Sequence, residues 1–121
     1  MLYSPDDTEN EIVEVPHPRE FAVARRRLSD DQYAAIVGEL NARIEGTEVQ
    51  TSSWMPGADW SGTVFEPIYA VACGRSVDAA AKFFGQVVWS VFMERDEDWS
   101  FVRVEKPGFS ARGLTYFRIT K

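Results

Sequence analysis

The sequence predicts an α+β domain: an antiparallel or mixed sheet of about four to five strands, with two main helices over 30–45 and 77–95 and a short helix over 67–73 packed on one face. Three observations carry this expectation. Two long stretches repeat apolar residues at helical spacing behind a good N-cap. Short runs of β-branched and aromatic residues, bounded by Pro and Gly, stand on either side of them. The chain has 121 residues, 45% hydrophobic and 26% charged, a size at which one core can bury ~65% of the unfolded surface without disulfides or metals. The expected order is β-β-α-β-(α)-α-β-β over one domain spanning residues 1–121, with helices gathered on one side of the sheet.

Residues 1–10 are polar and acidic around Pro5 and read as a loose N-terminal arm. Ile12, Val13 and Val15 alternate too briefly to define an element. Pro16-His17-Pro18 is expected to forbid a helix, because each ring fixes its own φ and biases the residue before it toward extended geometry. Glu20 to Arg27 then alternates Phe21, Val23, Arg25 and Arg27 against Ala22, Ala24 and Arg26, which reads as a strand.

The helix over 30–45 is the clearest local signal. Ser29-Asp30-Asp31-Gln32 is a capping box, in which Ser29 and Gln32 satisfy each other's free backbone donors. Tyr33, Ile36, Val37, Leu40 and Ile44 form one stripe, and Gly46 suits a left-handed stop. Thr47 to Trp54 reads as a weak strand through Thr47, Val49 and Thr51. Glu66-Pro67 opens the short helix, since Pro is favoured at a first helical position, and Gly74 can end it.

Ser76 caps the last helix, whose inward face is expected at Val77, Ala80, Ala81, Phe84, Val88 and Val91, with Val87 and Phe92 at its margins. The acids Asp96-Glu97-Asp98 are unfavourable at a helix C-terminus and place its end before them. Trp99 to Glu105 and Leu114 to Thr120 read as two strands joined by a hairpin loop containing Pro107-Gly108 and Gly113.

Charge is unevenly distributed. Residues 1–20 hold Asp6, Asp7, Glu9, Glu11, Glu14 and Glu20 against Arg19 alone, a net −5 out of the chain's −6. The nearly neutral body argues against nucleic-acid binding, which needs clustered basic charge. An acidic end suits a basic partner. No apolar run is long enough for a bilayer. The N-terminus has acids where an export signal would be basic and apolar, and the single cysteine suits a reducing compartment, so a cytoplasmic protein is expected.

Catalytic residue types are scarce. One cysteine, Cys73, and one histidine, His17, offer neither a nucleophile–base pair at readable spacing nor a zinc site, and no phosphate-binding glycine motif is present. Cys73 ends an apolar run and reads as buried and inert. Asp96-Glu97-Asp98 reads as a solvated turn. Arg25-Arg26-Arg27, beside a helix N-terminus, is an anion candidate, with salt bridges to neighbouring acids as its plainer reading.

Two places remain as candidate sites. The irregular stretch before residue 67 gathers Trp54, Asp59, Trp60, Phe65 and Glu66, with Tyr69 at its edge, and long loops often bind ligands. The alternative is that these rings cover one end of the core. Trp89 and Met93, on the polar side of the last helix, suit a protein interface or homodimer, or else lie beneath the loop or the N-terminal arm. The resulting expectation is a small non-catalytic interaction or regulatory domain without a cofactor or metal. The alternatives are a small-ligand-binding protein or modest enzyme with a carboxylate in an aromatic pocket, and an acidic, immunity-like inhibitor acting through residues 6–20.

Overall fold

The computed structural model describes residues 1–45, 49–51, 62–104 and 113–120. The chain is an α+β fold built on a five-stranded mixed sheet. Its elements are β1 (Leu2–Ser4), β2 (Asp7–Ile12), α1 (Pro18–Arg27), α2 (Asp30–Ile44), β3 (Val49–Thr51), a π-helical turn (Ile68–Ala72), α3 (Val77–Glu94), β4 (Trp99–Val104) and β5 (Gly113–Arg118). Strand order across the sheet is β2-β1-β4-β5-β3. Among the described residues only the β1–β4 pair is parallel; the other pairs are antiparallel.

The sheet packs on α3 through rings. Phe92 stacks on Tyr116 with centroids 4.0 Å apart and meets Trp99 edge-on at 4.8 Å. Trp89 lies 4.7 Å from Phe101. Trp99, Phe101 and Tyr116 share one sheet face by alternation and register, and Val102 on the other face is exposed. Burying a Phe or Leu side chain stabilises by ~1.5–3 kcal/mol, so this ring cluster sets the registry of helix on sheet. The buried side of α3 runs Ala80, Phe83, Phe84, Val87, Val88, Val91 and Phe92. That face is rotated from the one expected: Phe83 is in the core and Val77 is exposed, because α3 is covered by α1, α2 and the π-helical turn as well as by the sheet.

Two expectations are overturned. Residues 1–10 do not form a loose arm. Leu2 and Tyr3 are buried, β1 pairs with β2, and Trp99 donates its N–H to the Met1 carbonyl at 2.8 Å. Glu20 to Arg27 is not a strand but lies within α1. Pro18 occupies the opening turn instead of forbidding a helix. Phe21, Ala24 and Leu28 recur at helical spacing against the core. Glu20 in the first turn and Arg25, Arg26 and Arg27 in the last turn match the helix dipole.

The other elements follow their local signals. Ser29 and Gln32 close both halves of the capping box, at 3.0 and 3.1 Å. Ser76 accepts the Ala79 N–H at 3.2 Å to start α3. Gly74 and Arg75 both take left-handed backbone, φ 58° and 67°, which ends the π-helical turn and redirects the chain into α3. Gly46 and the loop at Pro107-Gly108 lie outside the described residues.

Candidate functional site

Of the six residues expected to wall a ligand loop, Trp54, Asp59 and Trp60 lie outside the described residues. The other three have defined places. Phe65 is 1% exposed; it meets Phe84 edge-on at 5.0 Å, with the Arg43 guanidinium 5.1 Å above its ring. It belongs to the core and presents no surface to a ligand. Exposed Glu66 accepts the Gly62 backbone N–H at 3.2 Å and so braces its own turn. Tyr69 is half-buried against the core, and its carbonyl takes the Arg75 N–H at 2.8 Å.

The Trp89 and Met93 side of α3 is roofed by the chain between β2 and α1. The Trp89 indole donates to the Glu14 carbonyl at 3.1 Å. Gln86 donates to the carbonyls of Pro16 and His17, at 2.6 and 3.2 Å. Pro16 stiffens this strap, and its backbone acceptors meet the polar donors of α3 directly. Trp89 and Met93 are both partly buried against the core. The segment over this stripe is residues 14–17, between β2 and α1.

Each arginine of the run has an internal contact. Arg25 lies 4.0 Å above the Tyr33 ring and bonds Asp30 at 3.0 Å. Arg26 donates to the Ala22 carbonyl and Arg27 to the Ala72 carbonyl. Each guanidinium makes a contact within α1 or to a neighbour, and Arg26 and Arg27 remain exposed. Burial pushes the Cys73 thiol up, partly offset by Arg27, which disfavours the thiolate that nucleophilic chemistry needs. Among the described residues no group of three His, Cys, Asp or Glu side chains could hold a metal ion. No helix among them is long and apolar enough to cross a membrane.

Compared with protein-family models, curated proteins and solved structures, the chain matches none. The surface chemistry alone must therefore carry a functional reading.

Two features stand out. The first is the β1–β2 hairpin, an ordered acidic edge. Asp6, Asp7, Glu9 and Glu11 are all exposed along it, and Glu14 is exposed in the strap beyond. Asp7 accepts from the Glu9 N–H at 3.3 Å and from Asn10 at 3.0 Å, shaping the turn side of β2. Register slips between Tyr3 and Ser4, so three residues of β2 bulge away from β1. A bulged, charged edge resists pairing with another strand while leaving its carboxylates outward.

The second is an open groove of about 480 Å³ between α2 and α3. Arg95 stands at its end with only 11% of its side chain exposed. Nε and Nη2 grip both oxygens of Glu97, at 2.8 and 2.7 Å. Nη1 reaches Asn41 at 2.8 Å, and Nη2 also reaches Glu45 at 3.2 Å. The fork holds the Glu97 carboxyl down to about 2. Asp96-Glu97-Asp98 is thus not uniformly solvated, because its middle carboxylate is half of a structural ion pair. The signal was present in the sequence as Arg95 beside the acids, but its partners Asn41 and Glu45 come from another helix.

Proposed function

We propose that this chain is a non-catalytic interaction domain whose docking surface is the acidic hairpin and strap, Asp6 to Glu14, and whose partner is a basic protein. The observation that carries this reading is the segregation of charge. Residues 1–18 hold five acids and no Lys or Arg, and they lie on backbone held against the sheet and α3. An ordered surface of one sign steers a partner of the opposite sign at little cost in ordering entropy. A homodimer through the same surface is disfavoured by like charge, and the stripe of Trp89 and Met93 is partly covered by residues 14–17.

Titrating the protein with an octalysine peptide tests this reading by calorimetry at low and physiological salt. The triple variant Asp7→Asn/Glu9→Gln/Glu11→Gln should weaken binding ~10-fold, from three exposed pairs at ~0.2–1 kcal/mol each. A variant with the same net charge, Asp30→Asn/Asp31→Asn/Glu39→Gln, should keep it. Equal losses in the two variants would mean that only total charge is sensed, and the docking surface would be refuted.

A further inference from the structure

We propose that two copies of this chain form a dimer by exchanging their β1–β2 hairpins, with residues 15–17 as the hinge. Strain in the hinge, the self-contained build of the hairpin and the placement of the bonds that hold the strap all point to this exchange.

The strain lies at His17. Its backbone is left-handed, φ 53° and ψ 61°, a conformation that is costly for a residue with a Cβ. Pro18 follows directly, and a proline ring pushes the residue before it toward extended geometry. His17 therefore departs from its preferred backbone on two counts. Pro16 and Pro18 fix φ on either side of it, so the change of direction between β2 and α1 is concentrated on this residue. Residues 13–17 alone join Ile12, the end of β2, to Pro18, the start of α1. A short connection under strain favours exchange between copies, because extending it relieves the strain while the contacts of the exchanged element form again on a second copy. Extended backbone at His17 re-aims the hairpin away from its own β4 and toward that of the other copy.

The hairpin can move as a unit. Its strands pair antiparallel, with Leu2 opposite Ile12 and Tyr3 opposite Glu11, and these bonds persist wherever the hairpin docks. It joins the rest of the sheet through β1: Leu2 lies opposite Trp99, and Trp99 donates its N–H to the Met1 carbonyl at 2.8 Å. Leu2 and Tyr3 are buried there, and Ile12 packs against the core. Undocking bares these side chains and opens the edge of β4, so a released hairpin is driven to cover another such edge. A second copy supplies an identical one. β2 is the outer strand, and its exposed carboxylates take no part in the contact that is exchanged.

The bonds that hold the strap divide at the hinge. Trp89 donates to the Glu14 carbonyl. Glu14 lies on the hairpin side, so this bond forms again between copies. Gln86 donates to the carbonyls of Pro16 and His17, inside the hinge, so its bonds belong to the monomer alone. Relieving His17 and removing Gln86 should therefore shift the equilibrium in opposite directions.

The test is to unfold the protein in urea, refold it at high concentration, and follow monomer and dimer by size-exclusion chromatography with light scattering. The expected dimer reverts only slowly on dilution, because the hairpin must undock first. In a mixture of isotope-labelled and unlabelled copies, filtered NOEs should connect Leu2 of one copy to Trp99 of the other. His17→Gly should lower the dimer association constant ~100-fold, about 10-fold for each of two hinges. Gln86→Ala should raise it ~10-fold, about 3-fold for each copy opened. Thermal melts check that both variants fold. A parent and a Gln86→Ala variant that both stay monomeric after refolding would overturn the proposal. A dimer without the Leu2–Trp99 NOEs between copies would overturn it too, as would a dimer constant that His17→Gly leaves unchanged.

Discussion

Replacing Arg95 by Met should destabilise the protein by ~2 kcal/mol at neutral pH and remove a defined part of its acid sensitivity. The guanidinium is 89% covered and joins α2 to the α3–β4 turn through Asn41 and Glu97. A hydrogen bond from a charged donor contributes ~1.5–3 kcal/mol when its partner would otherwise be unsatisfied. The bidentate pair with Glu97, whose side chain is 28% exposed, adds ~1 kcal/mol. Glu45 is 76% exposed, so its bond adds little. Releasing Arg95 from partial burial returns ~1 kcal/mol, and the Met chain retains the packing of the aliphatic stem.

The pH dependence has a fixed sign. The Glu97 carboxyl sits at about 2 in the folded chain against an ordinary value of 4.5. A depressed folded pKa contributes stability that is fully present above 4.5 and is lost as pH falls toward 2. Full linkage over that interval is ~3 kcal/mol, which exposure of the carboxylate reduces to ~1–2 kcal/mol. Urea unfolding followed by tryptophan fluorescence between pH 7 and pH 2 measures both terms. The difference between the parent and Arg95→Met should be ~2 kcal/mol at pH 7 and should shrink below pH 4.5, with Glu97→Gln showing the same convergence. A difference that stays constant with pH would refute the assignment of Arg95 to Glu97. A difference under ~0.5 kcal/mol at pH 7 would place the whole network among exposed pairs of no consequence.

Further outcomes follow from single contacts. Ser29→Ala should cost ~1 kcal/mol in urea unfolding, because it leaves the Gln32 N–H at the head of α2 without its acceptor. Phe92→Ala should cost ~3–5 kcal/mol, since it removes the ring stacked on Tyr116 and edge-on to Trp99. Trp89→Phe should cost ~1 kcal/mol and speed amide exchange in residues 13–17, as it deletes the donor to Glu14 while keeping a ring against Phe101. Arg75→Gly should raise stability by ~0.5–1 kcal/mol in thermal melts, by relieving a left-handed backbone on a residue with a Cβ.

The parts of the fold legible in the sequence are those whose causes are local. The capping box at Ser29, the stripe through Ile36, Leu40 and Ile44, the Pro67 start and Gly74 stop, and the turn from α3 into β4 each lie within a few residues of the element they define. Misreadings arose where a distant segment decides. Leu2 and Tyr3 form a strand because β4 stands beside them, and three residues carry too little alternation to reveal that. Glu20 to Arg27 satisfies a period of two on paper; Phe21, Ala24 and Leu28 select the helix only because Phe83 and the rest of the core lie beneath them. The candidate sites divide along the same line. Phe65 and Trp89 are large apolar groups in polar company, which in sequence looks like an exposed site. Phe84 and the Glu14 carbonyl, which account for their placement, enter only once the chain is folded.

That division bears on where binding surfaces can be sought in this chain. Aromatic residues gain most by burial, so in a domain of this size the core, the sheet contact and the strap recruit Phe65, Trp89, Trp99 and Tyr116. Carboxylates lose most by burial, so those without an internal partner are driven to the surface and kept there. Glu97 has such a partner in Arg95 and is structural. Glu9 and Glu11 form no salt bridge with a described residue and are exposed, and the fold gathers them at the outer edge of β2. A cationic partner lowers their free energy. The hairpin, bulged and open, presents its charges over an extended edge suited to a protein. Removing charge from the hairpin should therefore weaken octalysine binding and leave the Arg95–Glu97 pair and its pH dependence unchanged, an independence that octalysine titration and urea unfolding of Asp7→Asn/Glu9→Gln/Glu11→Gln would measure directly.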